Sequence, residues 1–510
     1  MWQRYTFYDF RVIAHYLGVL LTLVGIGMIV PLVVAFATKE WEPAHRYLFS
    51  VGLALTLGSA LRMARIEPGR LNRQQAIAIT SFAWLAAALM GAVPLVMSNH
   101  YGSYLDALFD AMALFTTTGA SIISQPDHLS YADSIWRLVT MYSGGLGLVV
   151  VAMSFGVFGA VTDSSLYDSE GHSEHVLPNV VQTAQFTIKL SLAVIGAASV
   201  VLIACMLAHG MTLARSLFHG VFMAVSSFMT VGLSPNSTNV AYYHSVVIEV
   251  VLMVLMLLGS INFSLQSEVI KGRIEVFLHD MEIRSGALWI MIMLAIFAAS
   301  IAGVALLSNA PTMLRMGLFT FVSASTTAGF ATLTSNQLNA VFPSGALLVL
   351  AIAMAIGGSS GSTSGGIKLR RIVIIGKSAI ETMKITASPD SARIQTSYFH
   401  IGRMRLGAAE VKEAMTVFIM FVLVYIVGAL AGIALGYDAV DALMESIAMA
   451  SNGGMSAGIT SAGMPIALKV IYIAEMWAGR LEFVTLLAVG IKILVSCKPR
   501  LASRAQKGDR

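Results

Sequence analysis

Apolar and polar residues follow one another along this chain in long blocks, not at the spacing of a soluble helix or strand. Apolar runs near the roughly 20 residues that span a bilayer predict ten crossing helices: 12–37, 47–64, 74–97, 134–160, 183–208, 240–265, 286–308, 341–375, 412–435 and 466–494. Four shorter, half-apolar segments fall between them: Leu105–Phe115, Ala214–Phe228, Thr312–Ser325 and Asp438–Ala450. Their length suits re-entrant pieces of about 10–14 residues. After the first two helices the other eight form four pairs. One short segment splits each pair and leads at once into a polar, glycine-containing tract. The expected fold class is therefore an all-α polytopic membrane protein: two N-terminal helices, then four helix, pore-loop, helix repeats in a pseudo-fourfold arrangement around one pore. The expected divisions are 1–72, 73–162, 163–272, 273–384 with a Gly-rich intramembrane loop, and 385–510.

Composition points the same way. Hydrophobic residues make up 57% and charged residues 12%, with a mean hydropathy of +0.78, outside the range of an ordinary soluble domain. Unbroken runs such as Val246–Leu258 exclude the short alternating strands of an outer-membrane barrel. The net charge of +5 would suit nucleic acid. With the N-terminus inside, however, 24 of the 32 Lys and Arg residues fall on the inner side, as the positive-inside rule requires. No nucleic-acid partner is expected, and both termini are expected in the cytoplasm. The apolar stretch 12–37 exceeds the 7–15 residues of a signal-peptide core and is read as a retained helix. Two cysteines, Cys205 and Cys497, are too few for a disulfide framework. Asp163, Asp168, Glu170, His172, Glu174 and His175 crowd one inner loop, read as solvated and not as a metal site.

The four tracts are TTTGAS from Thr116, MTVGLS from Met229, TTAGFA from Thr326 and SNGGMS from Ser451. Their central glycines lie 113, 97 and 125 residues apart, the mark of a large internal repeat. A dehydrated cation needs oxygens in place of water, and backbone carbonyls supply them without a full charge that would hold it too tightly. Glycine permits the dihedrals that turn successive carbonyls one way. Irregular backbone at membrane depth is tolerated only when buried in protein or lining a watery cavity. The expected ion ligands are Thr116, Thr117, Thr118 and Gly119; Met229, Thr230, Val231 and Gly232; Thr326, Thr327, Ala328 and Gly329; and Ser451, Asn452, Gly453 and Gly454. The short helices would aim their partly negative C-termini at the pore. Asp106, Asp110, Asp438, Asp441 and Glu445 are expected to deepen an acidic vestibule, although helix-end charge complementarity accounts equally for some of them. One tract alone reads as small-residue helix packing; four at equivalent places favour a shared pore.

These residues, together with FTTTGAS at Phe115, YSGGLGLVVVAM at Tyr142, GSINFSLQ at Gly259, STTAGFAT at Ser325, GGSSGSTSGGIKLRRI at Gly357 and AGRLEFVTLL at Ala478, carry a resemblance. Over nearly its whole length the chain resembles the Trk/Ktr/HKT superfamily of potassium transporters, most closely the bacterial TrkH/TrkG type with its two extra N-terminal helices. The second and fourth tracts depart from the family's usual NNAGFS-like and GNVGPG-like forms. In plant relatives, serine at the first filter glycine goes with sodium transport, so Gly119 implies potassium.

Dense glycine costs helix stability, about 1 kcal/mol each, so the run from Gly357 should unwind within the bundle. The resemblance implies an intramembrane gating loop carrying Gly357, Gly358, Gly361, Gly365, Gly366 and Lys368, where a packing kink is the plainer alternative. Arg480 is read as lying mid-helix, where a charge costs at least about 2.5–3.5 kcal/mol to insert, so it should face a cavity. The resemblance puts it in the pore beneath the filter, with Glu482 touching the loop; a structural ion pair with Glu475 or Glu482 is the alternative.

The function so implied is potassium uptake across the bacterial inner (plasma) membrane, with the potassium ion bound in the filter as cargo and no organic cofactor. The resemblance also implies a homodimer in the lipid bilayer and a cytoplasmic TrkA-type nucleotide-binding ring as regulator. The Gly-rich run lacks the GKS or GKT ending of a phosphate-binding loop, so no enzymatic ATP hydrolysis is expected. The alternative is a sodium- or proton-coupled secondary cation transporter, which would show inverted repeats with one or two broken helices. A non-transporting scaffold would not need the four glycines.

Overall fold

The computed structural model describes residues 4–64, 71–123, 125–147, 150, 180–307, 310–333, 335–389 and 394–497. The acidic and histidine-rich group at 163–175, Arg65, Arg70, Arg393 and the basic tail from Lys498 lie outside them. In chain order the helices are α1 (Phe7–Gly27), α2 (Ile29–Ala37), α3 (Trp41–Arg62), α4 (Arg73–Val96), α5 (Tyr104–Phe115), α6 (Tyr131–Leu146), α7 (Val180–Ala208), α8 (Leu213–Phe228), α9 (Val246–Gly259), α10 (Phe263–Ile270), α11 (Ile274–His279), α12 (Met281–Leu307), α13 (Ala310–Ser325), α14 (Ser335–Val341), α15 (Ser344–Ile356) and α16 (Leu369–Thr386). A two-stranded antiparallel hairpin, β1 (Ser397–His400) and β2 (Gly402–Arg405), precedes α17 (Ala408–Ala434), α18 (Ala439–Ala450), α19 (Ile466–Arg480) and α20 (Val484–Cys497). The helical fold class expected from the apolar blocks holds.

Caps start these helices where polar residues interrupt the apolar runs. Thr6 with Asp9 and Asn72 with Gln75 form reciprocal capping boxes on α1 and α4, satisfying amides that have no intrahelical partner. Ser103 and Asp438 accept from Asp106 N and Val440 N to open α5 and α18. The short helices α5, α8, α13 and α18 are the four segments expected to be re-entrant, each packed against a long helix before it (α4, α7, α12, α17) and another helix after it (α6, α9, α15, α19).

Length and composition differ from expectation in one systematic way. Among the described residues, five helical stretches are long and apolar enough to cross a membrane: Phe7–Ala37, Gln74–Val96, Gln182–Ala208, Met281–Ala302 and Ala408–Ala434. The spans expected at 134–160, 240–265 and 466–494 are not continuous: α6 stops at Leu146, α9 gives way to α10 with a bend of 104°, and α19 stops at Arg480. The run at 341–375 breaks as expected, between Ile356 and Leu369. Apolarity alone cannot locate such breaks, because glycine is neutral to hydropathy while weakening a helix. The basic stretch from Lys368 to Lys412 carries α16, the hairpin and the start of α17.

A buried ion pair fastens the N-terminal helices to the first repeat. Arg46 on α3 donates to both carboxylate oxygens of Asp133 on α6, at 3.3 and 3.1 Å, and to the Pro94 carbonyl at 2.9 Å. The Tyr47 hydroxyl donates to Asp133 at 2.9 Å. Removing Asp133 leaves the buried Arg46 with the solvent-exposed Glu42, at 2.8 Å, as its remaining ion-pair partner, and loss of one partner of a buried pair typically costs about 3–5 kcal/mol. Asp133→Ala should lower the thermal unfolding midpoint of the detergent-solubilised protein accordingly; an unchanged midpoint would show that this contact does not hold α3 to α6.

Candidate ion pathway

Each tract follows its short helix with the same backbone. The second residue is left-handed in all four, Thr117 (φ 59°), Thr230 (51°), Thr327 (54°) and Asn452 (53°), and so is the fourth, Gly119 (72°), Gly232 (81°), Gly329 (83°) and Gly454 (58°). Tract amides turn back to cap the preceding helix: those of Thr117, Thr230, Thr327 and Asn452 donate to Leu114, Ser227, Ala324 and Met449 carbonyls at 3.0–3.2 Å. Those of Val231, Ala328 and Gly453 donate to Ser226, Ser323 and Ala448 at 2.8–2.9 Å. In a trans peptide the carbonyl points opposite to the next N–H. Spending the amides on the helix end therefore turns the carbonyls of the first two tract residues away from it.

The tracts touch one another in a closed sequence. A methyl group added at Gly119 would lie 1.7 Å from the Val231 carbonyl oxygen; at Gly232, 2.1 Å from Ala328 O; at Gly329, 2.6 Å from Gly453 O; at Gly454, 1.8 Å from Thr118 O. Each fourth-position glycine thus leaves room for the third-position carbonyl of the next tract, and the fourth tract returns to the first. Asn452 adds a link across the last joint, donating to Thr118 Oγ1 at 3.0 Å. On one side of this ring lies a cavity of about 250 Å³, lined by residues of all four tracts, among them Gly119, Gly232, Gly329 and Gly454.

On the other side the space shrinks to about 30 Å³ between the Gly-rich loop, Asn452 and Arg480, room for about one or two waters. The loop touches tract after tract. Thr363 Oγ1 donates to Phe228 O (3.0 Å) and Gly259 O (2.8 Å) and accepts from Thr230 Oγ1 (3.2 Å). The Gly365 amide donates to Thr327 Oγ1 at 2.7 Å, and a methyl there would meet Ser451 O at 1.9 Å. Gly357, Gly361 and Gly366 take positive φ (68°, 66° and 78°), while Gly358 lies against Ser260. Lys368, also left-handed, turns its ammonium back to the Ser364 carbonyl.

Arg480 is not mid-helix: it ends α19, where cationic charge suits the helix dipole. Glu482 and Phe483 are left-handed (both φ 58°) before α20 begins. The guanidinium donates to Gly144 O (2.6 Å), Gly145 O (3.3 Å), Thr363 O (3.3 Å) and Thr117 Oγ1 (3.3 Å), joining the first tract to the loop. Glu482 is bound in a forked pair by Arg371, and Glu475 accepts from Ser446 Oγ at 2.9 Å.

None of the five acids expected to form a vestibule lines the larger cavity. Asp106 pairs with Lys469 at 2.6 Å. Asp110 is buried and accepts from Ser121 Oγ, Ile122 N and Tyr101 Oη at 2.8–3.0 Å. Glu445, at the matching place in the fourth repeat, accepts from Ser456 Oγ (2.5 Å), Ile459 N (3.0 Å) and Thr460 N (3.1 Å). Asp438 caps α18 and Asp441 is half-buried. Asp110 and Glu445 are used to hold the chain that leaves their own tracts, since a buried carboxylate needs donors.

The model of the TrkH family, described as a cation transport protein, matches residues 51–498. The chain belongs to this family. Its relatives include an uncharacterized cation transporter of Methanocaldococcus jannaschii, 27% identical over 95% of this chain and 96% of that protein. The Trk system potassium uptake protein TrkH of Escherichia coli is 28% identical over 94% and 98%. Among solved structures, the potassium transporter TrkH from Vibrio parahaemolyticus matches with a TM-score of 0.78 at 25% identity, covering 94% of this chain and 98% of that one.

Sequence reasoning missed one set of residues in this TrkH-family chain. Gly144, Gly259 and Gly479 lie where methyl groups would come within 2.0, 2.1 and 1.9 Å of Phe115 O, Phe228 O and Ala450 O, so the helix after the first, second and fourth tracts crosses the end of the helix before it. The signal was present: these glycines follow the first residue of their tracts by 28, 30 and 28 positions. Gly232→Ala should abolish cation flux in vesicles while membrane yield stays normal, whereas Gly196→Ala, with open space around it, should leave flux unchanged. Equal flux in both variants would dismiss the ring as a functional element.

Proposed function

We propose that this protein takes potassium up across the bacterial plasma membrane, both termini facing the cytoplasm, and that the four tracts form its selectivity filter. The closed sequence of glycine-to-carbonyl contacts is the observation that carries this reading. It favours a pseudo-fourfold ring in which carbonyl oxygens replace the water of a dehydrated alkali ion. The potassium uptake proteins among the bacterial relatives favour potassium as that ion, as does Gly119 in the first tract. In this reading residues 1–72 are an attached two-helix segment and 73–162, 163–272, 273–384 and 385–510 are the four pore units.

The larger cavity is then the outer vestibule, and the narrow space beyond the ring is the gate. Gly357, Gly358, Gly361, Gly365, Gly366 and Lys368 form the movable loop, Arg480 opposes cations beneath the filter, and Glu482 acts on the loop through Arg371. Support comes from the constriction of about 30 Å³, too small for a hydrated cation. A homodimer and a cytoplasmic TrkA-type nucleotide-binding ring that pulls the loop aside complete the proposal.

Rubidium and sodium uptake into vesicles holding only this protein tests it. Rubidium should enter several-fold faster than sodium, and equal rates would reject a potassium filter. Shortening the loop within 357–366 should raise flux in the absence of any regulator. Arg480→Ala should keep potassium affinity and increase leak; lower flux in either variant would argue against gating at this level.

A further inference from the structure

We infer that Glu475 is a proton-binding site: a carboxylic acid that keeps its proton inside the fourth repeat and, in that form, ties α17, α18 and α19 together around the fourth tract. The tie to ion flux rests on the proposed reading of the tracts as a filter; the proton site does not. Glu475 lies on α19, five residues before Arg480, and is 4% exposed. Its Oε1 accepts from Ser446 Oγ of α18 at 2.9 Å. The same oxygen fills the space beside Gly428 of α17, where a methyl group would fall 1.9 Å from it. One carboxyl group thus joins three helices.

The surroundings of this group do not suit a charge. Among the described residues Ser446 is its one hydrogen-bond donor, Oε2 is buried without any, and no cationic group acts on it. Other buried acids in the bundle have what a carboxylate requires: Asp133 has Arg46, and Glu445 accepts from two amides and two hydroxyls. A carboxylate buried with a single hydroxyl donor is costly, and such a group neutralises instead. A protonated oxygen is itself a donor and needs none, which accounts for the bare Oε2. The helices packed on α19 are α5, α17 and α18. The titratable groups that interact with Glu475 are two phenols, Tyr425 of α17 and Tyr472 of α19. On α5, Asp106 is matched by Lys469 of α19, and Asp110, like Glu445 of α18, is held by its own donors.

The junction stands directly behind the fourth tract. Ser446 precedes Ser451, the first tract residue, by five positions on the same helix. Tyr425, three residues before Gly428 on α17, shares a hydrogen bond of 2.7 Å with Ser451 Oγ. Loss of the proton would leave a buried charge with one donor, so the helices must part to admit water or another donor. The supports of the tract on α17 and α18 would move with them. The packed arrangement is therefore favoured while the proton is held and is lost as rising pH removes it.

Infrared spectra of the full-length protein in lipid vesicles at neutral pH should show a protonated-carboxyl carbonyl band that Glu475→Gln lacks. Identical spectra in this region from wild type and folded variant would overturn the site. Glu475→Ala should lower rubidium flux several-fold, and Glu475→Gln, which keeps the shape but cannot ionise, should restore it to the wild-type level. A folded Glu475→Gln with several-fold lower flux than wild type, or a Glu475→Ala with wild-type flux, would overturn the role of the neutral acid. As pH is raised on both faces of the vesicles, the ratio of wild-type to Glu475→Gln flux should fall only where the band falls. Either one changing without the other would overturn the tie to the tract. Wild-type vesicles with no rubidium flux at any pH would count against the transport reading, the infrared band still deciding the site.

Discussion

Backbone polar groups buried in a membrane protein must be paired or face water, and the tracts meet this demand in an uneven way. Their amides close the ends of the preceding helices, which would otherwise leave carbonyls unsatisfied. One set of bonds thus does two things: it terminates each short helix and it turns the next carbonyls away from that helix. The left-handed second and fourth residues are the conformational consequence. Three of the four second positions are threonine and one is asparagine, and asparagine is among the side chains that tolerate this region best.

Close backbone approach dictates what surrounds the ring. Glycine occupies the close backbone approaches of the ring itself and those of Gly144, Gly259 and Gly479 beside it, where a methyl group would fall 1.7–2.6 Å from a neighbouring carbonyl oxygen. Once the later helices press on the carbonyls of α5, α8 and α18, they cannot continue as uniform apolar rods. Arg480 is acceptable in this setting because the broken helices expose carbonyls for its guanidinium, and because it sits at a helix end.

Much of this architecture was legible in the apolar blocks. The four short helices and the glycine of each tract were recognisable because their period recurs and because a glycine in a polar island between apolar runs is a specific signal. The breaks after Leu146, Gly259 and Arg480 were not, since hydropathy sees one or two glycines inside a greasy run as more of the same run. The placing of acids was misread for a related reason: Asp110 and Glu445 look like surface charge in a sequence, and only the fold shows the hydroxyl and amide donors five or more residues along the chain that justify burying them. Thr363 was hidden among serines and glycines of equal polarity, although it alone bonds to both the Phe228 and Gly259 carbonyls.

The encoding of all four tracts in a single polypeptide has a consequence for the segment between α15 and α16. In an assembly of four identical chains, anything reaching across the axis would arrive in quadruplicate and collide with its own copies. Tracts that differ in sequence within one chain are free of that symmetry constraint, so a single asymmetric segment can reach several of them without a copy of itself to meet. The Gly-rich run does so: it occurs once in the chain, yet its Thr363 and Gly365 meet Thr230, Thr327 and Ser451 of three different tracts.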